Sequence, residues 1–172
     1  IREVPGLGPD GLAPHGALIR AAQMSGAMDR ALEMAVAYAN EREQFGRPIA
    51  KFQAIQQMLA EAAGHVAAAS AIVDMAAEAW GTEDFDFAAG LAKSRTGEAA
   101  GRVSAIVHQV HAAMGFTQEH GLHFLTRRLW SWREEFGAES WWEERIGRRI
   151  CAAGGEALWP AIVDVTAAGA RA

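Results

Sequence analysis

Apolar residues recur at spacings of three and four along most of this chain, which is the pattern of helices that bury one face. The clearest case lies between residues 50 and 80, where apolar side chains keep this spacing over a length of roughly 45 Å, at about 1.5 Å per residue. The pattern predicts five helices, at residues 17–40, 50–80, 84–114, 122–135 and 139–153.

Glycine and proline separate these predicted helices. Gly46-Arg47-Pro48 breaks the chain after the first helix, because the residue before a proline is pushed out of the helical region. Gly81, Gly137 and the Gly154-Gly155 pair mark later helix ends. Alternation of period two is almost absent and β-branched residues are sparse, so no sheet is expected. We predict an all-α, mainly antiparallel bundle with long helices.

The length and composition indicate one domain. With 172 residues, 51% of them hydrophobic and 22% charged, the chain is able to bury a sizeable core. Residues 1–15 are rich in the turn-formers glycine and proline, so we interpret them as a linker from an upstream domain. The predicted bundle occupies residues 16–172.

Charge, hydropathy and cysteine content exclude several function classes. A net charge of −5 gives no basic surface for nucleic acid. No uninterrupted apolar run reaches the roughly 20 residues that span a bilayer, so no membrane span is expected. The single cysteine, Cys151, allows neither an internal disulfide nor a cysteine-based zinc site and fits a cytoplasmic protein. Pairs of histidines occur three residues apart, but without further ligands they predict no metal site.

Two segments carry a more specific signal. The first runs from Glu41 to Gln53 and contains Arg42, Phe45-Gly46, Pro48-Ile49 and Phe52-Gln53. The second is Gln109-Val110-His111-Ala112-Ala113-Met114-Gly115-Phe116-Thr117-Gln118-Glu119. Together, in this order and spacing, they resemble two motifs of the C-terminal helical domain of the acyl-CoA dehydrogenases. The resemblance covers about residues 15 to 150.

This resemblance implies a contact with FAD bound mainly by a neighbouring subunit. The implied contact residues are Arg42, Gln44, Phe45, Gln53, Gln109, Ala112 and Ala113. A planar guanidinium such as that of Arg42 matches two oxygens of a pyrophosphate. The family pattern has Gly-Gly where this chain has Ala112-Ala113, and the added methyl groups oppose a close approach of the backbone to the cofactor.

The catalytic base expected from the resemblance is missing. The family's reaction needs a carboxylate to remove a proton, and its usual position corresponds to Phe136, followed by Gly137. The second position used in the family, near the start of the first helix, offers only His15. Three alternatives remain: a shift that brings Glu135 or Glu139 into place, a base from elsewhere, or a subunit without catalysis.

The resemblance therefore predicts the C-terminal FAD-contacting and oligomerisation domain of a flavoenzyme that carries out α,β-dehydrogenation of an acyl-CoA thioester. The expected partners are the upstream domains of the same enzyme and further subunits, in a homo- or hetero-oligomer of two or four. The chain alone is not expected to turn over substrate. The alternative is a non-catalytic helical partner subunit or scaffold of a heteromeric acyl-CoA dehydrogenase.

Overall fold

A computed structural model describes residues 11–117 and 119–168, with side chains up to residue 163. Residues 1–10 of the predicted linker and Gln118 of the second motif lie outside the described residues. The described part contains six α-helices: α1 (Ala13–Glu41), α2 (Gln53–Glu78), α3 (Phe85–His111), α4 (Leu122–Glu134), α5 (Glu139–Ala153) and α6 (Leu158–Ala168). The predicted all-α bundle is confirmed.

Five of the six helices agree with the apolar pattern, and their ends differ by a few residues. α1 begins at Ala13 rather than residue 17, because Pro14 fits the first turn of a helix, where no amide donor is needed. α3 ends at His111, and Ala112–Phe116 continues as a tighter 3₁₀ turn. α6 was not predicted, because its apolar run is short and follows the Gly154-Gly155 break.

A short β-hairpin separates α1 from α2, contrary to the expectation of no sheet. β1 (Glu43–Gln44) pairs antiparallel with β2 (Arg47–Pro48). Phe45 and Gly46 form the connecting turn with φ angles of 52° and 76°, and two positive φ angles in a two-residue turn match the twist of a hairpin. The hairpin leads through a 3₁₀ turn, Ile49–Lys51, into α2.

The bundle core lies where α1 crosses α3, with α2 and α4 packed beside them. Small and medium side chains dominate this core, so the helices approach closely. From α1 the core takes Met24, Met28, Ala31 and Ala35, and from α3 it takes Ala99, Val103 and Val107. A second cluster around Leu18, Val73 and Phe87 fills the other end of the bundle. The two clusters hold the ends of α1 and α3 in fixed positions.

α2 is only partly covered by the rest of the fold. Val66, Ala69 and Val73 face the core, while most of the opposite face is exposed. Within the described residues, this helix alone is long and apolar enough to cross a membrane, with a mean hydropathy of 1.2. The expectation that no segment approaches the length and hydropathy of a membrane span is therefore corrected. Length and composition are weak evidence for a span, since core helices of soluble proteins share them.

Candidate functional site

A cleft of about 480 Å³ opens between the end of α1, the β-hairpin, the start of α2 and the end of α3. Six of the seven predicted cofactor-contact residues line it: Arg42, Gln44, Phe45, Gln109, Ala112 and Ala113. The seventh, Gln53, is exposed on the first turn of α2 and does not line the cleft. The fold thus brings the two sequence motifs together in one place.

Arg42 is the positively charged residue of this cleft. Its backbone is fixed, because its N–H donates to Tyr38 O at 2.8 Å and its carbonyl accepts from Ile49 N–H at 2.8 Å. Its side chain is exposed and makes no hydrogen bond or ion pair with any described residue, although Glu41 and Glu43 flank it in sequence. A fixed backbone with an uncommitted guanidinium suits the binding of an anionic group.

Phe45 presents a bare aromatic face at the rim of the cleft. Its side chain is 91% exposed, and its φ of 52° is rare for a bulky residue. The ring meets Phe52 edge-on, with centroids 6.2 Å apart, and the Arg47 guanidinium lies 4.3 Å from the Phe52 centroid. Neither contact covers the outer face of Phe45, which remains available to a planar ligand.

The Ala112-Ala113 segment occupies the wall opposite the hairpin. Ala112 has φ 49° and ψ −136°, a conformation that residues with a side chain rarely adopt. This is the position at which the family pattern has glycine, so the backbone keeps a glycine-type conformation although its residue is alanine. The methyl groups of both alanines are exposed to the cleft.

Sequence reasoning missed Tyr38 and His111 as part of the cleft wall. Their rings stack 4.7 Å apart, and His111 is completely buried. The His111 Nδ1–H donates to Val107 O at 2.7 Å, which leaves Nε2 without a partner among the described residues. Burial lowers the pKa of His111, although the hydrogen bond to Val107 acts in the opposite direction. His111 is part of the second sequence motif, but only the tertiary structure shows that it packs behind the cleft wall.

Neither candidate base lies near this cleft. Glu135 pairs with Arg20 at 2.6 Å and accepts a hydrogen bond from Ser131, and Arg20 lies roughly 33 Å from Arg42 at about 1.5 Å per residue along α1. Glu139 pairs with Arg133 at 2.7 Å and lies against Gly97 of α3. Glu139 is 17% exposed and Glu135 is 37% exposed. Glu135 therefore lies far from the cleft along α1, and Glu139 lies beside the middle of α3.

Phe136 meets the start of α1, so the two positions at which the resemblance predicts a base are neighbours in this fold. The Phe136 ring lies so close to Gly16 that an added β-carbon would overlap it. The Arg20 guanidinium is 5.9 Å from the centroid of the same ring. His15 points elsewhere, since its ring contacts Trp80 and Phe85 at 4.9 and 5.0 Å. An aromatic ring thus fills the place of the expected carboxylate.

Comparison with known proteins identifies the family behind this arrangement. Residues 12–151 match the family model described as acyl-CoA dehydrogenase, C-terminal domain. This chain belongs to the acyl-CoA dehydrogenase family. The cofactor of the family is FAD, and the match contains both motifs that line the cleft. α6 lies beyond the matched residues.

Several relatives share this domain. The chain is 39% identical over 124 residues to the acyl-CoA dehydrogenase IpdE2 of Mycolicibacterium smegmatis, covering 71% of this chain and 38% of that protein. Over 97 residues it is 41% identical to a 3-sulfinopropanoyl-CoA desulfinase of Paraburkholderia xenovorans, covering 56% of this chain and 25% of that protein. Relatives at this likeness thus carry names of different reactions.

Solved structures show the same fold. One chain of the ChsE4-ChsE5 complex from Mycobacterium tuberculosis superposes with a TM-score of 0.78 at 30% identity, covering 81% of this chain and 38% of that chain. Butyryl-CoA dehydrogenase from Megasphaera elsdenii gives 0.77 at 27% identity, covering 81% and 37%. The match spans less than two fifths of the length of each of these two chains.

Proposed function

We propose that this chain is the FAD-contacting and oligomerisation domain of a flavoenzyme that dehydrogenates an acyl-CoA thioester between its α and β carbons. The observation that carries the proposal is the cleft in which both motifs meet around the uncommitted Arg42 guanidinium. Upstream domains and a second subunit complete the flavin site. A cytoplasmic location is part of the proposal and is supported by the single cysteine.

The residues of the cleft fit part of an FAD molecule. Arg42 would hold the pyrophosphate, because its planar fork matches two anionic oxygens. Phe45 would lie against a ring of the cofactor, and Gln109 would offer an amide to its polar groups. Ala112 and Ala113 would approach through backbone, with their methyl groups limiting how closely. A bound FAD would supply the hydride acceptor for oxidation of the thioester.

Oligomerisation is supported by the uncovered face of α2. The exposed positions from Ala60 to Ala71 include Ala63, Gly64 and Ala67, which lets another helix approach closely. A β-carbon added at Gly64 would meet nothing within 4 Å. We propose that a second subunit, identical or related, packs against this face, so that the cleft of one subunit reaches the flavin of another.

Two glutamates are candidates for the proton acceptor, and the structure supports Glu135 more than Glu139. Glu135 adjoins Phe136 and faces α1 through Arg20, and it is the more exposed of the two. Glu139 is packed onto Gly97 and held by Arg133. For Glu135 to accept a proton, its ion pair with Arg20 must open. The residue's contribution would be proton removal from the α carbon.

A non-catalytic partner subunit is the second candidate function, and Phe136 is the observation that favours it. Its ring, packed on Gly16, fills the place where the family has a base, and both neighbouring glutamates are engaged by arginines. In that case the chain supports a flavin site in a heteromer without abstracting a proton itself. The cleft around Arg42 serves both candidates equally.

The Arg42→Ala variant of the full-length protein tests the flavin contact. Loss of charge-assisted hydrogen bonds to a pyrophosphate should weaken flavin retention about tenfold to a hundredfold. The measurement is flavin absorbance per subunit during dialysis. Arg30→Ala, which removes an exposed arginine of α1 paired with Glu33, is the matched control and should retain flavin. Equal retention in both variants would refute the contact.

Flavin bleaching by acyl-CoA thioesters separates the two candidate functions. The dehydrogenase predicts bleaching in the wild type, its loss in Glu135→Gln and its retention in Glu139→Gln. Bleaching by no acyl-CoA, with flavin bound and subunits assembled, would leave the non-catalytic partner as the function.

A further inference from the structure

Lys93 is the one charged side chain of the described residues that is completely buried. It lies in the first half of α3, and its ammonium crosses to the end of α4. Nζ–H groups donate to Arg133 O at 2.6 Å and to Gly137 O at 2.7 Å. The first acceptor is a carbonyl in the last turn of α4, which has no partner within the helix, and the second lies in the following loop. Lys93 therefore joins three consecutive parts of the fold.

The loop that Lys93 reaches, residues 135–138, is here named the α4–α5 loop. Its backbone is unusual, because Phe136 and Gly137 have φ angles of 57° and 97°. Phe136 O accepts a hydrogen bond from the Trp142 indole at 3.0 Å, and the Trp142 ring packs against Gly90 of α3. A left-handed conformation at phenylalanine persists only where the surroundings impose it. Two lysine bonds and one indole bond supply that constraint.

We propose that Lys93 is a positioning residue that locks the α4–α5 loop and so sets residue 136 against Gly16 of α1. The role of residue 136 at the position of a catalytic base rests on the proposed function. The stabilisation of the loop by Lys93 is a property of the fold alone. In either candidate function the lock decides which side chain faces the start of α1. The loop carries Glu135 on one side of Phe136, and Glu139 follows it at the start of α5.

The electrostatic surroundings make the lock dependent on protonation. Burial lowers the pKa of Lys93 from 10.5 to about 8. The carboxylates of Glu139, Glu134 and Glu135 raise this pKa, and the positive charge of Arg133 lowers it. Glu135 is itself paired with Arg20 of α1, and Glu139 with Arg133. The closed loop thus holds a lysine whose charge is disfavoured by desolvation.

The direction of the pH effect follows from linkage. Opening the loop exposes Lys93 to water, where its pKa returns toward 10.5. Between about pH 8 and 10.5 the open state therefore binds more protons than the closed state, so the free energy of opening rises with pH. Below about pH 8 both states are protonated and the opening free energy is flat. The loop should become better protected, not looser, as the solution becomes alkaline.

Pulsed hydrogen exchange with mass spectrometry tests the proposal on the full-length wild-type protein. The measurement uses no flavin signal, so its outcome is independent of the proposed cofactor contact. After correction for the intrinsic exchange rate, protection of peptides covering residues 134–138 should be constant from pH 7 to 8. Above about pH 8 it should rise by up to tenfold per pH unit. Peptides from the middle of α1 and α2 should not follow this rise.

The two lysines of the sequence provide matched variants. Lys93→Met should abolish the pH-dependent rise in the loop peptides, whereas Lys51→Met, which alters an exposed lysine, should keep it. If Lys93→Met fails to fold, the wild-type titration still decides the matter. Loop protection independent of pH, a rise that survives in Lys93→Met, or an equal rise across the whole chain would each overturn the positioning role.

Discussion

At the scale of single residues, the backbone at Ala112 retains a conformation suited to glycine. Its φ of 49° and ψ of −136° place the β-carbon in a strained position, and such strain costs on the order of 1 kcal/mol or more. Ala112→Gly should therefore raise the free energy of unfolding by about 1 kcal/mol, measured by urea denaturation. The same change would widen the cleft where the cofactor is proposed to approach.

Ala113→Gly is the matched control for this substitution. Ala113 lies next in the chain and also lines the cleft, but its φ is not positive. Glycine there should lower stability by about 0.5–1 kcal/mol through loss of backbone entropy on folding. Stabilisation by both substitutions, or by neither, would contradict the strain assigned to Ala112.

The contact between Gly16 and Phe136 is a second effect at this scale. Gly16→Ala inserts a methyl group into the space of the Phe136 ring, so stability should fall by about 1–3 kcal/mol, as in other overpacked cores. Gly26→Ala, on the same helix with nothing within 4 Å of the added carbon, should instead stabilise by up to about 1 kcal/mol. Thermal unfolding of both variants gives the comparison.

A double-mutant cycle isolates the Gly16–Phe136 contact. Removing the ring by Phe136→Ala should make Gly16→Ala tolerable, with a coupling energy of about 1 kcal/mol or more between the two changes. If the changes in unfolding free energy are strictly additive, the ring does not lie over Gly16. The space predicted for the base would then not be filled by Phe136.

At the scale of elements, the junction of α3 and α4 contains two histidines with lowered pKa values. Desolvation is the main cause at both His108 and His111, and His120 contributes at each. His108 Nε2 lies 2.9 Å from Thr126 Oγ1 of α4, and its ring stacks on Phe116 at 4.5 Å. Both imidazoles are thus built into the packing that holds the 3₁₀ turn of the cleft.

The fold should therefore lose stability in acid through this junction. In the unfolded chain these histidines titrate near 6.5, and in the fold they titrate lower. Below about pH 6.5 the unfolded state binds more protons, so the free energy of unfolding falls as the pH falls toward 5. Urea denaturation at pH 7.5 and 5.5 measures the loss. Replacing both histidines with asparagine should reduce it, and an unchanged loss would assign acid sensitivity elsewhere.

Element boundaries illustrate how local signals work. α5 begins at Glu139 and ends at Ala153, as predicted, because Gly137 and Gly154 interrupt a clear apolar repeat. The end of α3 was predicted three residues late, since alanines 112 and 113 look helical in sequence while the positive φ at Ala112 ends the helix. The hairpin turn had a signal in Gly46, but strands of two residues are too short for an alternating pattern.

At the scale of the whole molecule, the exposed face of α2 is the surface that a monomer leaves uncovered. Ala67→Glu would place a carboxylate in the middle of the proposed subunit contact, where burying an unpaired charge is costly. Sedimentation of the full-length protein should then show dissociation toward smaller species. Ala152→Glu, at an exposed position near the end of α5, should leave the oligomer intact. Identical sedimentation of both variants would place the interface on another surface.

The sequence by itself determined five of the six described helices, their order and the family. Periodic apolar positions and glycine breaks act over a few residues, so they can be recognised in the sequence without the tertiary structure. Both motifs could be recognised in the same way, and six of the residues that they predicted line the cleft. The sequence also revealed the absent base, because Phe136 stands at a position defined by its spacing from Gln109.

Only the tertiary structure decided which of these residues meet. Arg42 and Gln109 share a cleft because α1 packs against α3 along their length, and Gln53 misses it because the first turn of α2 directs it outward. The same packing sets Phe136 on Gly16 and commits Glu135 and Glu139 to arginines. Such contacts join residues far apart in the chain, so they depend on how whole helices pack and not on any local pattern.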